Sequence, residues 1–132
     1  MFNLDSLALK DTTELQLRHP VSDELLFADE AGTKPVSIVL FGTSSKQYRN
    51  AITAMQNRQL KRGKKQVSAE VLREESVSLL VACSSKALNF TYKDSAVNDD
   101  EAFRTLYSDP AYSWLKDQVD SALGDVSNFL EQ

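Results

Sequence analysis

Seven basic side chains and no acid fall within residues 46–65: Lys46, Arg49, Arg58, Lys61, Arg62, Lys64 and Lys65. Arg58, Lys61, Arg62 and Lys65 recur at i, i+3, i+4 and i+7, which places them on one face of a helix. Such a face can hold a phosphate backbone or an acidic protein surface, or it can be solvated and neutralised by the molecule's own acids. The net charge of −4 argues against nucleic acid, because an acidic protein is repelled by phosphate at long range. Neither aromatic interleaving nor a helix-turn-helix pattern accompanies the bases. Arg58, Lys61, Arg62, Lys64 and Lys65 are therefore the candidate partner-binding residues, and the partner expected is a protein.

Reactive chemistry is poorly supplied. His19 is the single histidine, so no multi-histidine metal site can be built, and its place before Pro20 reads as a turn. Cys83 is the single cysteine; it lies on an apolar stripe with only Lys86 nearby, and packing explains it better than catalysis. Gly42-Thr43-Ser44-Ser45-Lys46 lies between a strand and a helix. A phosphate loop would need more glycine, and a Ser or Thr where Gln47 follows the lysine. A helix cap with Ser44 accepting and Gln47 reaching back fits better. Asp99-Asp100-Glu101 lacks the alternating ligands and glycine of a calcium loop and suits a helix N-terminus. Asn89-Phe90-Thr91 matches the glycosylation pattern, but no secretion signal accompanies it. No catalytic residue, metal or cofactor is assigned, and the expectation is a protein that is not an enzyme.

The elements that position these residues follow from periodicity. Thr13–Arg18 alternates polar and apolar and reads as a half-buried strand closed by His19-Pro20. Glu24–Phe27 is a short return strand, and Gly32 serves the turn before the next one. Pro35–Phe41 is apolar on both faces and is expected to be the central strand. Residues 1–11 form an arm or short strand. Helical spacing begins after Gly42, with Gly63 as its stop. Ser68 opens a second helix whose stripe runs through Leu72, Leu79, Leu80, Cys83 and Ala87, widened by Val77, Val81 and Leu88. Val67 and Leu72 form its hydrophobic staple, and it is expected to be the most buried helix. Asn98 caps a third helix carrying Phe103, Leu106 and Tyr107. Asp109-Pro110 starts the last, which buries Ala111, Leu115, Val119, Ala122, Val126 and Leu130 with Gly124 inside it.

The fold class expected is therefore α+β: an antiparallel β-meander of two or three strands over about 12–42, then about four α-helices over about 44–131, helix-dominated. Its 132 residues suit a single domain, and no stretch is apolar enough to span a bilayer. Charge is uneven along it. Residues 46–93 carry ten bases and three acids, whereas residues 94–132 carry nine acids and two bases. A basic middle and an acidic end permit head-to-tail contacts between copies, hence a homo-oligomer, and they also permit the end to neutralise the middle.

Two stretches resemble the tail assembly chaperones of long-tailed (siphovirus-type) bacteriophages and prophages. One runs from Glu14-Leu15-Gln16-Leu17-Arg18-His19-Pro20 through Gly32–Gly42 to Ser45-Lys46-Gln47-Tyr48-Arg49. The other is Tyr107–Val119, with the ending Phe129-Leu130. The resemblance implies a protein of virion morphogenesis acting in the host cell cytoplasm. It implies binding to the long, helical tape-measure protein, and displacement when tail-tube subunits polymerise around that rod. The family often makes a second, longer product by ribosomal frameshifting, and this chain resembles the shorter one. The resemblance assigns no residue a role. Two other classes compete: a minor tail or head–tail connector protein retained in the virion, and a small nucleic-acid-binding regulator using the basic helix.

Overall fold

The computed structural model describes residues 1–63 and 68–130. It is an α+β fold in which an antiparallel three-stranded sheet, ordered β1-β2-β3, packs with four α-helices. β1 is Thr12–Gln16 and β2 is Ser37–Phe41, paired antiparallel with Leu15 opposite Ile38. β2 is the central strand: Ile38 and Leu40 are fully buried on one side, and on the other Val39 and Phe41 are half-buried beside the buried Ser37. Between β1 and β2 the chain makes isolated bridges, Arg18 to Leu25 and Phe27 to Pro35, in place of the expected return strand. The loop that follows is wound around Asp29, whose carboxylate accepts from the Thr33 and Lys34 amides and the Thr33 hydroxyl, and Gly32 at φ +73° lets it turn. The first residues form a 3-10 turn over Leu4–Leu7 that buries nothing.

α1, Lys46–Arg62, is capped by Ser45, whose hydroxyl accepts from the Tyr48 amide; the cap is therefore one residue later than Ser44. Gly63 ends it at φ +60°, where a side chain would be strained. α2, Ala69–Ala82, starts at the Ser68 cap as expected. Leu72 is 59% exposed, and the staple partner assigned to it, Val67, lies outside the described residues. α2 buries only Val77, Leu80 and Val81, and so is not the most buried helix: the shorter α4 buries four residues.

The main departure follows Cys83. The stripe read as continuing through Ala87 and Leu88 belongs to a strand, β3 (Ser84–Leu88), which pairs antiparallel with β2 from the far side with an irregularity between Val39 and Leu40. A hairpin of β4 (Thr91–Tyr92) and β5 (Ser95–Ala96) comes next. Its two loop residues, Lys93 and Asp94, both have positive φ, the geometry that matches strand twist in a two-residue hairpin. The third strand of the sheet thus comes from within the portion read as helical.

α3, Asp100–Ser108, is capped by Asp99 rather than Asn98, its carboxylate accepting from the Ala102 amide. Asp109 caps a 3-10 turn over Pro110–Tyr112, and α4 is Ser113–Leu123. The last helix stops at Gly124, and a second 3-10 turn covers Val126–Phe129. Ala111 is exposed, whereas Leu115, Val119, Ala122, Leu123 and Phe129 are buried and Leu130 is half-buried. Phe129 packs closely on Gly42, where an added Cβ would stand 2.5 Å from the ring.

One continuous core joins sheet and helices, from Leu17, Ile38 and Leu40 through Leu80 and Val81 to Phe103, Leu106 and Val119. A polar relay crosses it. The Ser84 hydroxyl donates its single proton to the Leu80 carbonyl at 2.7 Å, so the Tyr107 hydroxyl, also 2.7 Å away, donates to Ser84. Tyr92 donates to Asp109 at 2.8 Å and meets Tyr112 edge-on at 5.4 Å between ring centroids, tying the hairpin to the α3–α4 junction.

Candidate protein-binding surface

The basic face of α1 is divided by its neighbour. α2 returns antiparallel beside it and brings Glu75 between Arg58 and Arg62. Arg58 grips the carboxylate with two bonds, Nε to Oε1 at 2.9 Å and a terminal nitrogen to Oε2 at 2.7 Å. Arg62 reaches Oε1 at 2.8 Å. The Glu75 side chain is only 11% exposed. Hydrogen bonding to Arg58 is the largest influence on its carboxyl, desolvation opposes it and Arg62 adds to it, so the pKa is held down to about 2. The same contact raises the Arg58 guanidinium above its ordinary value.

Two of the five candidate residues are therefore committed to holding α1 against α2. The acid that neutralises them is in α2, not in the acidic end of the chain. Lys61 stays exposed on α1, and Lys64 and Lys65 lie outside the described residues. The ion pair brings Arg58 and Arg62 together; Lys61 makes no salt bridge among the described residues.

Two surfaces flank this pair. On one side a largely apolar groove of about 450 Å³ runs between the helices, lined by Met55, Leu72 and Leu79 with Glu75 at its edge. Leu60, 79% exposed, lies one residue from Gln59 on its rim, and Leu72 within it is half in water. On the other side α2, α3 and the start of α4 enclose a broader groove of about 1000 Å³. Five cations line it, Arg58, Arg62, Arg73, Arg104 and Lys116, against five carboxylates, Glu70, Glu74, Glu75, Asp109 and Asp117. Arg104 donates to the Ser78 hydroxyl at 3.2 Å and makes no salt bridge among the described residues. Arg73, Arg104 and Lys116 are far apart in sequence, and no spacing rule connects them; only the packing of α3 against both α2 and α4 does. A balanced groove of this kind favours neither a polyanion nor a polycation and suits a surface of mixed charge.

The residues weighed for chemistry have structural places. His19 Nδ1 accepts from the Val21 and Ser22 amides, so the ring closes the turn that its position suggested. Cys83 is fully buried, and burial pushes its thiol up to about 11. Asn89 adopts φ +66° and donates to the Pro35 carbonyl. Among the described residues no group of three or more His, Cys, Asp or Glu side chains is placed to hold a metal ion. No helix among them is long and apolar enough to cross a membrane. Comparison with protein-family models, curated proteins and solved structures finds no match to this chain.

Proposed function

We propose that this protein is a non-enzymatic phage tail assembly chaperone, which binds a tape-measure protein in the host cytoplasm and releases it to tail-tube subunits. The resemblance of Glu14–Arg49 and Tyr107–Val119 carries the reading, and the character of the surface supports it. A chaperone for a long helical client needs contacts that form repeatedly and come apart when tube subunits arrive. A charge-balanced groove, with the exposed Leu60 and Leu72 nearby, offers weak, exchangeable contacts, where a large apolar face would hold too tightly. The engagement of Arg58 and Arg62 by Glu75 works against the nucleic-acid reading, because it removes two cations from the face that would meet phosphate.

The test is co-expression with a tape-measure protein. The client should move from the insoluble to the soluble fraction and co-purify with this chain. A client equally insoluble with and without it would refute the proposal. Mass spectrometry of purified particles separates the virion-protein alternative, since a chaperone is absent from the finished particle. Head-to-tail association of copies would appear in light scattering as a mass that falls with added salt; a constant monomer at low salt would remove that part.

A further inference from the structure

We propose that the open edge of β1 is a docking slot for an extended, basic segment of a partner protein, which adds to the sheet as a fourth strand. The inference is independent of the chaperone reading. β1 is an edge strand, and its hydrogen-bond phase is set by two bonds: the Gly42 amide donates to the Asp11 carbonyl, and the Leu17 amide donates to the Val36 carbonyl. Odd-numbered residues therefore face β2. By the alternation of an antiparallel ladder, the amides and carbonyls of Thr12, Glu14 and Gln16 point out of the sheet.

The same edge is closed at both ends. Beyond Gln16, the Gln118 carboxamide of α4 accepts from the Arg18 amide at 2.9 Å and donates to the Arg18 carbonyl at 2.8 Å, supplying what a neighbouring strand would. Before Thr12, the Lys10 amide donates to the Phe129 carbonyl at 2.7 Å. Between these two caps, three residues present donors and acceptors that no described residue takes.

Space adjoins them. A groove of about 490 Å³ lies between β1 and the end of α4, and a second of about 350 Å³ continues it past Gln118; both are bordered by Leu15, Gln16, Arg18 and Ala122. Asp23, Asp117 and Asp125 line the two against Arg18 as the single cation, while Glu14, which also lines the first, turns its carboxylate onto the Ser37 hydroxyl of β2 at 2.7 Å. That imbalance selects the occupant. Main-chain bonds give the affinity of an added strand, and its alternating lysines or arginines would meet this acidic border. A second copy of β1 suits the edge poorly, because antiparallel pairing centred on the slot sets Glu14 opposite Glu14.

The probe is an acetylated, amidated Lys-Val-Lys-Val-Lys-Val peptide added to the full chain and followed by amide NMR. Saturable binding is expected, with hydrogen exchange slowed at Thr12, Glu14 and Gln16. The peptide N-methylated at every internal amide, and the one with Glu for Lys, should not bind. Gln16→Pro removes an outward donor from an exposed edge position where proline is tolerated, and should weaken binding about tenfold or more. Absence of saturable binding, protection confined to other residues, or equal binding of the N-methylated peptide would overturn the proposal. So would undiminished binding to a folded Gln16→Pro chain; if that variant does not fold, the peptide comparison and the exchange pattern decide.

Discussion

The contact between Gly42 and Phe129 lets one substitution report on how the end of the chain is held. A Cβ built on Gly42 would lie 2.5 Å from Cδ1, 2.6 Å from Cε1 and 3.0 Å from Cγ of Phe129. Those atoms include Cγ, which rotation about χ2 leaves in place, and Phe129 is only 1% exposed, so the packed core opposes a swing about χ1 as well. Relief requires the 3-10 turn at Val126–Phe129 to move, which strains the bond between the Lys10 amide and the Phe129 carbonyl. Gly42→Ala should therefore cost about 1–3 kcal/mol, the range for overpacking a filled site. In a chain of this size that lowers Tm by roughly 3–5 °C per kcal/mol. Phe129→Ala alone should cost about 3–5 kcal/mol through the cavity it leaves. In the Phe129→Ala background the added methyl meets no ring, and Gly42→Ala should become nearly neutral. Urea denaturation of the four chains gives the coupling energy, expected at about 1–3 kcal/mol. If Gly42→Ala costs the same in both backgrounds, or nothing in the native one, the turn is not seated on Gly42 as described.

Three further outcomes follow from other contacts. The Glu75 carboxyl is depressed from an ordinary 4.5 to about 2, so its contribution to stability is fully present above pH 4.5 and is lost as pH falls through about 2. Glu75→Gln should cost about 1 kcal/mol at pH 7, because water screens the half-exposed Arg58, and the gap between its urea midpoint and that of the native chain should close toward pH 2. In the buried relay, Ser84→Ala should destabilise more than Tyr107→Phe. The first strands the Tyr107 hydroxyl without an acceptor at a cost of about 1–3 kcal/mol, while the second leaves Ser84 still bonded to Leu80 and costs about 1 kcal/mol; thermal denaturation of the pair checks the order. Cys83 should resist a thiol reagent at pH 8 in the native chain and react fully in denaturant.

Much of the fold is legible in local chemistry. The alternation over Thr13–Arg18 and the two-sided apolar run at Pro35–Phe41 overlap β1 and β2, and the Gly63 stop and the Ser68 cap stand where residue type places them; Asp109-Pro110 starts a 3-10 turn that leads into the last helix at Ser113. β3 is not legible, because Ser84-Ser85-Lys86-Ala87-Leu88 has little strand propensity and its apolar positions also fit the helical stripe before it. It is a strand because β2, buried on both faces, needs a partner on its second edge, a tertiary demand that no local window contains. The helix caps at Ser45 and Asp99 fall one residue from their expected places because neighbouring residues of equal capping ability compete. The basic face was visible as a run of charge, but its counterion was not. Glu75 reaches Arg58 and Arg62 only through the pairing of two helices.

The caps on β1 also constrain the order in which the chain can be completed. Arg18 is bonded to Gln118, a hundred residues downstream, and Lys10 to Phe129. A nascent chain can form its first hairpin early, yet both ends of that hairpin's outer border wait for α4 and the turn beyond it. Closing such distant contacts is slow relative to local helix formation, so assembly should finish only after synthesis of the last helix. Until then the newborn polypeptide carries a longer bare strand margin than the mature one, and that interval is when it is most exposed to mispairing with other chains.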